Sequence, residues 1–139
     1  EQPIMHDVTT ISRTNPDICR VNVFTIGPPS YYASFTIKKF NEPQDASHDA
    51  MEKEIKDIMI NYGAAAHSIK LDEYAIDQCY CIKGIGNNGM GVNLIANYFW
   101  MDRYWDQSQQ KWMGRVNCAI ISNYPNWGNL LEKIHISLI

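Results

Sequence analysis

The sequence has no basic run beyond Lys38-Lys39, no long apolar stretch, few charges and few leucines. Each shortage closes a class. A protein that grips nucleic acid regardless of sequence needs a basic face to displace counterions. Here 12 Lys and Arg stand against 15 Asp and Glu, for a net charge of −3. The longest apolar stretch, Leu94 to Met101, is interrupted by Asn97. It falls far short of the roughly 20 residues of a spanning helix. Nucleic acid and a membrane span are therefore set aside. No Asn-x-Ser/Thr acceptor occurs, so nothing marks a glycosylated surface.

What is present points to one packed domain. The chain has 139 residues, 45% of them hydrophobic, enough for a core and too short for two comfortable domains. Isoleucine occurs 18 times against 5 leucines, and β-branched side chains suit a pleated sheet better than a helix. Twelve asparagines favour turns and helix caps. The chain starts at Glu1 rather than methionine, which fits removal of an export signal and fits a trimmed chain equally well. With four cysteines, an even number, the expectation is an exported protein, periplasmic or secreted.

Residues 1–16 read as a flexible lead-in and 17–139 as a single α+β domain. Cys19, Val21 and Val23 alternate with Arg20 and Asn22, which predicts a strand from Asp17 to Ile26. Gly27-Pro28-Pro29-Ser30 breaks it, and a second strand runs from Tyr31 to Phe40. A helix then starts near Asp45 or Ser47, buries Met51, Ile55, Ile58, Met59 and Tyr62, and stops at Gly63. Further strands are expected around Ile69 to Asp72, Gln78 to Lys83, Met90 to Arg103 and Lys111 to Asn123. Pro125 opens a closing helix with Trp127, Leu130, Leu131, Ile134 and Leu138 on one stripe. The order ββαββββα predicts an antiparallel sheet of about six strands packed with two helices, an α/β sandwich.

That order resembles the PsbP-like proteins, a fold family found in the photosystem II extrinsic subunit and in many bacterial exported domains. The likeness rests on the hairpin before a helix, the meander after it, and the closing Trp127-Gly128-Asn129-Leu130-Leu131-Glu132-Lys133-Ile134. It covers residues 17–139. The resemblance implies a sandwich that works by binding, and it carries over no catalytic residue.

Several clusters invite a chemical reading. Cys19, Cys79, Cys81 and Cys118 are disulfide candidates. Cys79-x-Cys81 puts two thiols on one face of a strand, where a direct bond is strained, so pairing with a distant cysteine is expected. Buried thiols are the competing reading. Cys-x-Cys with no nearby histidine is a poor zinc signature. His6, His48, His67 and His135 form neither His-x-x-x-His nor His-Glu-x-x-His, and His48 reads as a solvated residue at a helix start. No metal, cofactor or catalytic residue is expected. Asp72-Glu73 with Asp77 alternate across a strand and do not share a site. Gly84-x-Gly86-x-x-Gly89 spells a dinucleotide fingerprint but is flanked by strands on both sides, so it reads as a hairpin tip.

Aromatics form the densest cluster: Tyr98, Phe99, Trp100, Tyr104, Trp105 and Trp112 gather at the ends of the last hairpin. Either both faces of that hairpin are covered, or Arg103, Tyr104, Trp105 and Trp112 form a partner-binding rim, or the aromatics make a sugar-stacking site. The expected function is a non-catalytic module that binds another protein through this rim. An immunity or inhibitor protein that plugs a toxin or hydrolase is one form of it, in keeping with the acidic pI. A small-molecule carrier or sensor, with its pocket between sheet and helix, is the alternative. An enzyme assembled from dispersed residues such as Cys79, His67 and Asp72 lacks the required geometry.

Overall fold

A computed structural model of the chain describes residues 5–12, 17–24, 31–76 and 79–124. Its frame is a sheet in which every pairing is antiparallel. Strands β1 (Met5–Ser12), β2 (Asp17–Phe24) and β3 (Tyr32–Asp45) lead to helix α1 (His48–Asn61) and a 3₁₀ turn at Ala66–Ser68. Strands β4 (Lys70–Ile76), β5 (Cys79–Asn87), β6 (Asn93–Trp100), β7 (Tyr104–Asp106) and β8 (Lys111–Ser122) follow. The spatial order is β1-β2-β3-β8-β6-β5-β4, and the short β7 pairs with β8.

The domain is thus α+β and dominated by its sheet, as expected. Two details differ. Seven strands line up in the sheet and β7 adds an eighth, where about six were expected. The additions are β7 and β1; the latter lies inside the expected lead-in and pairs with β2 along its whole length. Among the described residues α1 is the one α-helix. The closing helix expected after Pro125 lies outside them. No helix among the described residues is long and apolar enough to cross a membrane.

Helix α1 begins where Ser47 caps it: the Ser47 side chain accepts from Ala50 N at 3.3 Å. Asp45 in turn accepts from Ser47 N at 2.9 Å, which holds its carboxyl below the usual range. Gly63, at φ +102°, ends the helix in the left-handed region. Met51, Ile55 and Met59 fall on one face and are wholly buried against Ile82, Leu94, Ala96 and Tyr98. Each such side chain contributes about 1.5–3 kcal/mol when removed from water.

The glycines at the end of β5 explain how close the helix comes. Gly84 and Gly86 belong to the strand, not to the tip, and the turn is Asn88 to Val92. A Cβ on Gly84 would lie 2.5 Å from Met59 Sδ and 3.2 Å from Leu71 Cδ2, so the missing side chain lets the helix press close to the sheet. Strand β3 runs on past the expected stop at Asn41-Glu42-Pro43 because its register shifts between Lys39 and Gln44. Pro43 sits in that irregularity, where no ladder bond is lost. The other face of the sheet carries a second buried cluster of Cys81, Phe99, Cys118 and Ile120.

Candidate functional site

The hairpin of β7 and β8 is closed by its own side chains. The Asp106 carboxylate accepts from Ser108 N at 2.9 Å, Ser108 Oγ at 2.7 Å and Gln109 N at 3.3 Å. These bonds hold its carboxyl below the usual range. Gln110 completes the turn at φ +56°. The register then decides which aromatics meet. Trp105 lies opposite Trp112, and directly opposed residues share a face. Their rings meet edge to face, 5.6 Å between centroids and 71° between planes. Tyr104 lies opposite Met113, which is buried, so Tyr104 projects from the other side of the hairpin. The expected group of four is therefore split: Trp105 and Trp112 pair, and Tyr104 stands apart.

Arg103 joins the indole pair to the body of the domain. Its guanidinium carbon sits 4.2 Å from the Trp112 ring centroid and 4.5 Å from that of Tyr80. Arg103 Nε donates to Ala46 O at 2.8 Å, while Ala46 N donates to Trp112 O at 2.9 Å. The residue before the helix cap thus pins both members of the stack. Asp102 steadies the preceding turn by accepting from the backbone of Arg115 and Val116, each at 3.0 Å. Burial lowers the Arg103 pKa, and no carboxylate forms an ion pair with it among the described residues.

Beyond Tyr80 lies a polar group that sequence reading missed. The Tyr80 hydroxyl and His48 Nδ1 share a hydrogen bond of 2.6 Å. His48 Nδ1 is also 3.3 Å from Glu73 Oε2, and its Nε2 is 3.1 Å from Glu52 Oε2. Burial and then the Glu73 carboxylate push the Tyr80 hydroxyl up to about 12. His48 is accordingly not a bystander: it ties the first turn of α1 to β4 and β5. The spacing of His48 and Glu52, four apart on a helix, was the available signal. Glu73 and Tyr80 gave none, since they reach His48 only across the sheet. The ligand atoms of His48, Asp49 and Glu52 lie within 4.8 Å of one another. Acidic side chains in a first turn answer the helix dipole without a metal.

Cys19, Cys118 and Cys81 are not placed to bond to one another, against the expectation of disulfides among them. The register supplies the reason. Cys19 pairs with Ile37, Ile37 with Cys118, Cys118 with Phe99, and Phe99 with Cys81. Cys19, Cys118 and Cys81 thus lie in one row across the sheet, each separated from the next by a whole strand. Two strand spacings are about 9.5 Å, beyond the roughly 4.4–6.8 Å between Cα atoms that a disulfide spans. Burial pushes the Cys118 thiol up to about 12, which suits packing and not nucleophilic chemistry.

The arrangement is one continuous strip: two paired indoles, a stacked guanidinium, a phenol, and an imidazole held by two carboxylates. It can grip a partner through apolar, cation–π and hydrogen-bonding contacts. Comparison of the chain with models of protein families, with curated proteins and with solved structures finds no match.

Proposed function

We propose that the protein is a non-catalytic module that captures another protein through the strip headed by Trp105, Trp112 and Arg103. The observation that carries this reading is the exposure of a paired structure. Trp105 and Trp112 meet edge to face, yet remain 42% and 38% exposed. Indoles that only fill a core are buried, whereas rigid, half-exposed Trp and Arg dominate interface energetics. Tyr104 extends the contact around the edge of the hairpin. The likeness in element order to PsbP-like proteins agrees with a binding role. An immunity or inhibitor protein, whose partner is a toxin or hydrolase, is a specific form of the same proposal.

The test is capture of a partner from extract of the source organism by the wild type and by Trp105→Ala and Trp112→Ala. A partner held by the wild type is expected to weaken by about 2 kcal/mol or more, roughly thirtyfold, in each variant. Melting temperatures should stay close to the wild type. Collapse of the fold in both variants would place the indoles in the core and end this reading.

A further inference from the structure

The strip headed by the indole pair is polarised along its length. Its one arginine, Arg103, is half-buried and packed against the rings of Trp112 and Tyr80. The far end gathers three acids around His48. Glu52 Oε2 and Glu73 Oε2 lie 3.1 and 3.3 Å from the imidazole nitrogens, and the carboxylate of Asp49 lies within 4.8 Å of the ligand atoms of His48 and Glu52. Local structure explains the gathering. His48 and Glu52 stand one turn apart on α1. Glu73 lies opposite Ile82, which is buried under α1, and directly opposed residues share a face, so β4 turns Glu73 toward the helix.

The charges at that end do not cancel. Among the described residues no lysine or arginine pairs with Asp49, Glu52 or Glu73. Lys53, close by in sequence, is 3.2 Å from Asp57 instead. A protonated His48 would offset one of the three negative charges, and the N-terminus of α1 offsets about half a charge more, so a negative surplus remains. It is also open to a partner: the Glu52 and Glu73 side chains are 36% and 56% exposed. The net charge of −3 adds to the attraction for a cation. The steps from Trp112 to Arg103, to Tyr80 and to His48 are 4.2, 4.5 and 6.3 Å. The two ends are therefore no more than about 15 Å apart, a distance that an extended segment of about five residues spans.

Taking the strip as a capture surface, we infer that the protein partner offers it a basic segment: an aromatic or large apolar residue for the indole pair and, within about five positions, a lysine or arginine for Glu52 and Glu73. The apolar anchor supplies most of the affinity, and the charge pair fixes which way the segment runs along the strip. Carboxylates from α1 and from β4 both face the cation, so it bridges two elements of the fold. A second copy of this chain is a poor occupant, because two acidic ends repel and the arginine of the strip is already covered by two rings.

The probe is a library of random dodecapeptides displayed on phage and selected on the immobilised full chain. Enriched sequences are expected to carry Trp, Phe, Leu or Met with Lys or Arg no more than about five positions away. The most enriched peptide, titrated by fluorescence anisotropy, should bind Glu52→Lys and Glu73→Lys about tenfold more weakly than the wild type, since a repulsion replaces an attraction. Glu73→Gln, a milder change on an exposed side chain, should weaken it about threefold. Glu54→Lys alters the net charge equally on the other flank of α1, beside a cleft of about 520 Å³ lined by Lys38, Trp100 and Asn117, and should bind like the wild type. Enriched peptides without basic residues, or Glu52 and Glu73 variants that bind like the wild type, overturn the basic segment and leave the capture reading standing. Peptides indifferent to Trp105→Ala and Trp112→Ala overturn the capture reading with it. A library that yields no enrichment, or a dimer in light scattering that Trp105→Ala dissolves, overturns the basic partner as well.

Discussion

At the scale of single residues, position in the register decides chemistry. Four cysteines in a small chain suggest cross-links, but a row that places a strand between each pair keeps Cys19, Cys118 and Cys81 apart. Alkylation and peptide mapping of the unreduced, denatured chain are therefore expected to show no bond between any two of Cys19, Cys81 and Cys118. In the folded protein Cys118 should stay unlabelled, because it is wholly buried and its thiol is pushed up to about 12. A bond joining two of these three would contradict the register. Gly114 makes a second case. A Cβ there would lie 2.8 Å from Trp100 Cε3, a rigid ring atom that cannot step aside as the end of a methionine can. Gly114→Ala should cost about 1–3 kcal/mol in chemical unfolding, as overpacking does.

At the scale of elements, α1 shows how much was legible and how much was not. Its apolar spacing and the stop at Gly63 are readable from periodicity and composition, and Met51, Ile55 and Met59 are buried as that spacing requires. Ile55→Ala should cost about 2–5 kcal/mol, measured as a fall in the urea midpoint, because the site is closed on all sides. Ser47→Ala should cost about 1 kcal/mol through loss of the cap. Strand ends were less legible. The glycines of β5 look like turn residues in sequence, yet Gly84 and Gly86 serve close approach of Met59, a demand set by an element some 25 positions earlier. The rim was half legible: composition marks Arg103, Trp105 and Trp112, but only pairing against Met113 sends Tyr104 to the other side.

At the scale of the whole molecule, the fold stores several acids in their neutral form. Burial pushes the Tyr32 hydroxyl and the Cys118 thiol each up to about 12, and it raises Tyr98 as well. In the unfolded chain such groups titrate near 8.5 for Cys and 10 for Tyr, so above those values the unfolded state releases protons that the native state retains. Their contribution is complete below about pH 8 and is lost as pH rises toward 12, the thiol's first and the phenols' from about pH 10. The melting temperature, followed by circular dichroism, should hold from pH 7 to about 8 and then fall, most steeply above about pH 10. A melting temperature that stays level to pH 11 would mean these groups ionise in place.

The sequence by itself determined the class of the protein: a sheet rich in isoleucine, an amphipathic helix after the first hairpin, and a meander behind it. Those features follow from local rules, the two-residue period of a strand and the 3.6-residue period of a helix, which act between near neighbours. The tertiary structure alone decided the rest. It joined β3 to β8 across about 80 residues of chain, and that one pairing set the cysteine row and the row of Lys38, Asn117 and Trp100. Among the described residues it also placed one α-helix over β5 and β6, with a polar cleft beside α1. Sequence excluded a basic face and a long apolar span; which side chains surround the exposed indole pair and which line the cleft beside α1 depend on the distant residues the register brought together.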